Sequence, residues 1–222
     1  MGSETEVLKA YVSVWSADLL AMKRSLEPVA ELVDGIHVDI TDGHFVPELL
    51  FGPDLVAALR EEYPQMPIEV HLMVTDAEAW LGRMADAGAT LVTVHPASTS
   101  DLAHTLADIA DRGARPGLAL ELADPLDLAA THVEAVDRIL VMGTQVGIKG
   151  VDIDPATFDR VRQAIAIREG SHRRPDVYVD GGIRLHTVTR IRAAGADGVI
   201  PGSLILGAPD PRDALLRLHA LP

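Results

Sequence analysis

The sequence predicts an α/β protein of the (β/α)8 barrel type, and three observations carry that prediction. Eight short runs are almost continuously apolar, as parallel strands covered on both faces must be. Longer stretches with apolar residues at helical spacing separate them. Several of those stretches end in a glycine that opens straight into the next apolar run. A chain of 222 residues suits eight β–α units around one core. An open doubly wound sheet shows the same alternation, but it usually carries a glycine-rich turn after its first strand. Here that turn reads Ser16-Ala17-Asp18-Leu19-Leu20.

Taken in order, Met1–Lys9 is polar and acidic and reads as a flexible N-terminal extension. The first strand is expected at Tyr11–Trp15 and the second at Gly35–Ile40, opened by Asp34-Gly35. A helix over Asp54–Glu62 leads to the third strand, Ile68–Met73. The next helix, Ala77–Ala87, ends at Gly88 and feeds the fourth strand, Thr90–His95. Helix Leu102–Arg112 ends at Gly113 before the fifth strand, Pro116–Leu120. The sixth and seventh strands are Arg138–Met142 and Asp176–Asp180. Helix Leu185–Ala194 ends at Gly195, and the eighth strand is Gly198–Pro201. Glycine just past a helix takes positive φ at little cost, which stops the helix and turns the chain. No Pro/Ser-rich linker or break in composition divides the chain, so residues 1–222 read as one domain.

Charge and cysteine narrow the function. Against 19 basic residues stand 33 acidic ones, a formal charge of −14. Such a surface repels nucleic acid and anionic lipid. Cysteine is absent, which removes disulfides, thiolate metal sites and a cysteine nucleophile and suits a reducing interior. No apolar stretch approaches the roughly 20 residues of a membrane span, and the N-terminus lacks the pattern of a signal peptide. The expectation is a cytoplasmic protein without nucleic-acid or membrane partners.

Barrel sites lie at the C-terminal ends of the strands. The second strand offers His37 and Asp39, two apart and therefore on one face. The third ends with His71 and Met73, and the seventh ends with Asp180. Two imidazoles and two carboxylates converging there would suit a divalent metal such as zinc, manganese or iron(II). A single histidine on an apolar strand is more often a hydrogen-bonded core residue, but four ionisable groups on three strands are costly to bury unless paired or metal-bound. His44 and His95 are weaker candidates. The remaining histidines fall on or near helical surfaces. Glycines form the second signal: Gly181 and Gly182 follow the seventh strand, and Gly202 and Ser203 follow the eighth. Loops in those two places often bind phosphate in barrels, through backbone N–H groups. Backbone donors let a strongly acidic protein hold an anion.

The run His37-Val38-Asp39-Ile40-Thr41-Asp42-Gly43-His44-Phe45-Val46-Pro47 resembles the strand-two signature of the ribulose-phosphate 3-epimerases. Ser13-Val14-Trp15-Ser16-Ala17-Asp18, Val70-His71-Leu72-Met73-Val74, Val179-Asp180-Gly181-Gly182 and Pro201-Gly202-Ser203 follow that family in its order. The resemblance implies a TIM barrel of the ribulose-phosphate-binding type, holding one divalent ion on His37, Asp39, His71 and Asp180. It implies that Asp39 and Asp180 are the two acid–base residues of a 1,1-proton transfer through a metal-stabilised enediolate. Ser13 and Met73 would line the site, and Gly181, Gly182, Gly202 and Ser203 would grip the phosphate. Dimers or hexamers are implied as well.

One loop departs from the family. After the sixth strand a Pro-Gly-aromatic-Gly-Gly-Gln lid is typical, whereas this chain has Val146-Gly147-Ile148-Lys149-Gly150. Gly147 and Gly150 keep their places. Thr41 replaces a methionine that usually lines the pocket. The expected activity is therefore 3-epimerisation of a phosphorylated ketose, ribulose 5-phosphate/xylulose 5-phosphate or a relative such as allulose 6-phosphate. Lys149 becomes a candidate lid contact to substrate. A sugar-phosphate lyase would need a lysine that Asp39-Ile40-Thr41-Asp42 lacks, and a non-catalytic sensor has no need of paired bases.

Overall fold

The computed structural model describes residues 7–221. Its elements run β1 (Lys9–Ser13), α1 (Met22–Leu26), β2 (Gly35–Asp42), β3 (Leu49–Leu50), α2 (Pro53–Glu62), β4 (Ile68–Met73) and α3 (Glu78–Asp86). Then come β5 (Leu91–Val94), α4 (Leu102–Asp111), β6 (Arg115–Leu120), α5 (Asp127–His132), β7 (Arg138–Met142) and α6 (Thr157–Glu169). The chain finishes with β8 (Asp176–Asp180), α7 (Leu185–Ala193), β9 (Gly198–Ile200), α8 (Ser203–Leu206) and α9 (Pro211–His219).

The eight expected strands pair in parallel, and β1 bonds to both β2 and β9, which closes the barrel. β3 is the addition: it pairs antiparallel with the end of β2 and makes a small hairpin above the barrel rim. Alternation along each strand separates two cores. Outward residues such as Val12, Val38, Val70, Leu118, Val141 and Val199 pack under the helices. Inward residues, among them Tyr11, Met73, Leu140, Met142, Tyr178 and Ile200, fill the barrel. Nearly continuous apolar runs thus conceal an inner face that also carries His37, Asp39, Glu69, His71, Thr93, His95 and Arg138, all buried.

Several boundaries differ from the sequence expectation, each for a physical reason. β1 ends at Ser13 rather than Trp15, because Val14–Ser16 forms a 3-10 turn that carries the chain over the rim with Val14 buried. At its other end β1 includes Lys9, paired with Gly198, so the expected N-terminal extension loses its last residue to the barrel. Residues 1–6 of that extension lie outside the described residues. The junction glycines Gly88, Gly113 and Gly195 hold positive φ as expected. Gly35 does not: it sits inside β2, where a side chain would collide with the ring of Tyr11. Of the leucines in α9, Leu215 and Leu218 are buried in the core and Leu216 is exposed.

Candidate metal and active site

Strand register assembles the site. Ser13 stands beside His37 on β2, and Asp39 stands beside His71 on β4. Asp180 closes the group from the end of β8. His37 Nε2 lies 3.2 Å from Asp39 Oδ1 and 3.9 Å from Asp180 Oδ2. His71 Nδ1 lies 3.4 Å from Asp39 Oδ1 and 3.8 Å from Asp180 Oδ2. One ligand atom from each of the four lies within 4.8 Å of the others. His71 Nδ1 is buried without a hydrogen-bond partner, the state of a lone pair aimed at a cation. Two imidazoles and two carboxylates form a donor set suited to one divalent ion. The four residues singled out in the sequence are brought together.

The two carboxylates meet different surroundings. Burial opposes ionisation of Asp39, but His37 and His71 outweigh it and hold its carboxyl well below the usual carboxylate range. Ser13 Oγ donates to its second oxygen at 3.0 Å. Asp180 sits at the cleft, its side chain 17% exposed. Burial and the negative charges of Asp39 and Glu69 push it up to about 6, against the two histidines. Neighbouring carboxylates that meet different fields separate in this way.

Behind the four lies a layer of which the sequence pointed only to His95. His71 Nε2 is 2.8 Å from His95 Nε2, and His95 Nδ1 points toward Glu121 at 3.8 Å. His95, a weaker candidate by sequence, is fully buried. His95, Glu121 and Asp124 also gather potential ligand atoms. Proton counting sets that group apart. With His71 Nδ1 facing a cation, its proton sits on Nε2 and is donated to His95 Nε2, so His95 Nδ1 carries the other proton and cannot ligate. Asp42, the second aspartate of the strand-two motif, is no ligand either. It accepts from the backbone of His44, Phe45 and Thr75 and the hydroxyl of Thr75, and so shapes the loop above β2.

A cleft of about 280 Å³ opens over Asp39 and Asp180. Ser13, Met73, Gly147, Lys149, Gly150, Gly181, Gly182, Gly202 and Ser203 all line it, together with Trp15 and Arg184, which the sequence reading passed over. Gly181 and Gly182 both hold positive φ, and a side chain at either would run into Thr144 or Ile153. That close backbone approach is the reason for the pair. Thr41 turns away from the cleft: its hydroxyl donates to Glu48 O and accepts from Leu50 N, tying the β2–β3 hairpin. Lys149 reaches across the opening, donating from Nζ to Trp15 O at 2.6 Å with the ammonium 4.4 Å from that ring's centre. Burial lowers its pKa, partly offset by the charge of Asp39.

Carboxylates on separate strands beside one candidate cation site can give and take a proton at carbon. The class that this fold and site define is a metal-assisted (β/α)8-barrel isomerase. Sequence similarity gives the branch. The chain belongs to the ribulose-phosphate 3-epimerase family, whose sequence model matches residues 9–206. It is 34% identical over 201 residues to the ribulose-phosphate 3-epimerase of Serratia marcescens, covering 90% of this chain and 96% of that one. The ribulose-phosphate 3-epimerase of Escherichia coli strain K12 is 33% identical over 199 residues, 89% of this chain and 88% of the other. Among solved structures, KGPDC from Streptococcus mutans superposes with a TM-score of 0.74 at 19% identity, covering 95% of both chains. A 3-hexulose-6-phosphate synthase gives 0.65 at 22% identity, over 97% of this chain and 99% of that one. These two share the fold. Among the described residues no helix is long and apolar enough to cross a membrane.

Proposed function

We propose that the protein is a metal-dependent 3-epimerase of a phosphorylated ketose, with Asp39 and Asp180 as the two acid–base residues. The observation that carries the reading is the pair itself: two carboxylates beside the same two imidazoles, one held ionised and one pushed up to about 6. Asp39, oriented by Ser13, suits removal of the C3 proton. Asp180, at the cleft wall, suits delivery to the opposite face, and the roles exchange in the reverse direction. His37, Asp39, His71 and Asp180 would hold zinc, iron(II) or manganese. When bound, the cation supplies positive charge that makes a proton next to a ketone easier to remove.

Backbone N–H groups at Gly181, Gly182, Gly202 and Ser203 are read as the phosphate grip, with Arg184 beside them. Gly147, Lys149 and Gly150 belong to the lid over the sugar, and Met73 to the wall beneath it. The leading substrate pair is ribulose 5-phosphate and xylulose 5-phosphate. Allulose 6-phosphate is the second choice, kept because the loop after the sixth barrel strand departs from the family's. A Schiff-base lyase finds no support in the lysines: Lys9 lies at the far end of β1, Lys23 pairs with Glu62 at the surface, and Lys149 is held by Trp15. The absence of cysteine supports a cytoplasmic, reducing location, and family membership supports a dimer or hexamer, read directly by light scattering.

The test is proton exchange. Metal-loaded protein in heavy water with ribulose 5-phosphate should place deuterium at C3 as xylulose 5-phosphate forms, followed by NMR. Exchange with allulose 6-phosphate alone would move the substrate and keep the mechanism. Stoichiometric metal with no exchange on either sugar would overturn the epimerase reading.

A further inference from the structure

The barrel interior directly beneath the metal cluster holds a buried ion pair that the proton transfer does not use. Glu69 on β4 and Arg138 on β7 are both fully buried, and Arg138 Nη1 donates to Glu69 Oε2 at 2.6 Å across the barrel. The other oxygen, Glu69 Oε1, accepts from Thr93 Oγ1 at 2.7 Å. The guanidinium lies 3.5 Å from the ring centre of Tyr178 and 4.4 Å from that of Tyr11, which pack edge to face. Its Nη2 lies 3.9 Å from Asp176 Oδ2, and neither Nε nor Nη2 makes a hydrogen bond among the described residues. As a device for stability this is a poor choice, because apolar side chains of similar volume usually hold a core as well as a buried ion pair does. The pair therefore calls for another role.

Glu69 Oε2 supplies one. It lies 3.3 Å from His37 Nδ1, off the ideal hydrogen-bond direction, and no other acceptor meets that nitrogen. The opposite nitrogen, Nε2, is the one that faces Asp39 and Asp180. An imidazole that presents Nε2 to a cation must carry its proton on Nδ1, and an acceptor behind it fixes both the tautomer and the ring angle. We infer that Glu69, held in the dry interior by Arg138 and Thr93, is a positioning residue that orients His37 for the metal. Arg138 in turn supplies the countercharge without which a carboxylate would not remain in that layer. The inference rests on the metal-site reading above.

Metal affinity separates this role from a purely structural one. The double variant Glu69→Leu/Arg138→Met removes both charges and keeps the layer filled. Its metal-free form should melt close to the parent, while its zinc affinity, measured by competition with a chromophoric chelator, falls about 10–100-fold. The visible spectrum of the cobalt(II)-loaded protein should change with it. Parent-like affinity and spectrum in the double variant would overturn the proposal. Should that variant fail to fold, Glu69→Asp keeps a charge for Arg138 but withdraws the carboxylate from His37. The same loss is expected there, and unchanged affinity would again overturn the role. Failure of the underlying metal reading looks different, since the parent itself would then bind no divalent ion.

Discussion

Asp39 and Asp180 have the same side chain, and their neighbours make them different tools. Asp39 is 3% exposed, faces two imidazoles and is tied by Ser13, while Asp180 lines the cleft, its side chain 17% exposed. Asp39→Asn and Asp180→Asn should each abolish C3 exchange in heavy water while leaving the far-ultraviolet circular dichroism unchanged; near-parental exchange in either would remove that residue from the mechanism. A pH dependence follows from Asp180. With its carboxyl pushed up to about 6, it keeps its proton below that pH and ligates more weakly, and it becomes a full carboxylate ligand as the pH rises. Metal affinity should therefore tighten between about pH 5 and 7. A chelator-competition series flat across that window would contradict the ligand role of Asp180. Of these residues the sequence made His37 and Asp39 legible, because a spacing of two on a strand fixes a shared face. His95 was less so, since nothing local says that its ring will meet His71.

At the scale of elements, loops that follow strands build the cleft, and their glycines mark where the backbone has to come close. The loop between β7 and α6 is bound to the 3-10 turn after β1 through Lys149 and the carbonyl of Trp15. A hydrogen bond from a charged donor is worth about 1.5–3 kcal/mol when protected from water, less at a half-exposed site. Lys149→Ala should raise the Michaelis constant by about tenfold or less, the equivalent of up to ~1.4 kcal/mol, with turnover affected less. A variant with both constants unchanged would show that the clasp and any substrate contact by Lys149 are idle. The same loop shows where element-level reading stops: Gly147 and Gly150 were recognisable by position, but the partner of Lys149 lies 134 residues away. The β3 hairpin was invisible for another reason, because two residues carry no periodicity to detect.

For the whole molecule, a cation held between β2, β4 and β8 would link distant parts of one closed sheet. Binding to the folded state alone stabilises it by RT ln(1 + [L]/Kd), about 2.7 kcal/mol at a hundredfold excess over Kd. Zinc or manganese should thus raise the melting temperature by several degrees, since each kcal/mol shifts a chain of this size by about 2–4 °C, and a chelator should reverse it. An identical melting curve with and without metal would count against the site. What the sequence alone determined is local in origin: the strands and helices from their apolar periods, the glycine junctions, the His37/Asp39 pair and the glycines after the last two barrel strands. What only the tertiary structure decided is which inward residues meet. Period two says that Glu69 and Arg138 each face the interior or the helices, but not that they pair across 69 residues. Nor does it say that Glu69 stands behind His37 or that His95 stands behind His71. Those contacts are set by the register in which eight strands close, and that register is a property of the barrel, not of any single strand.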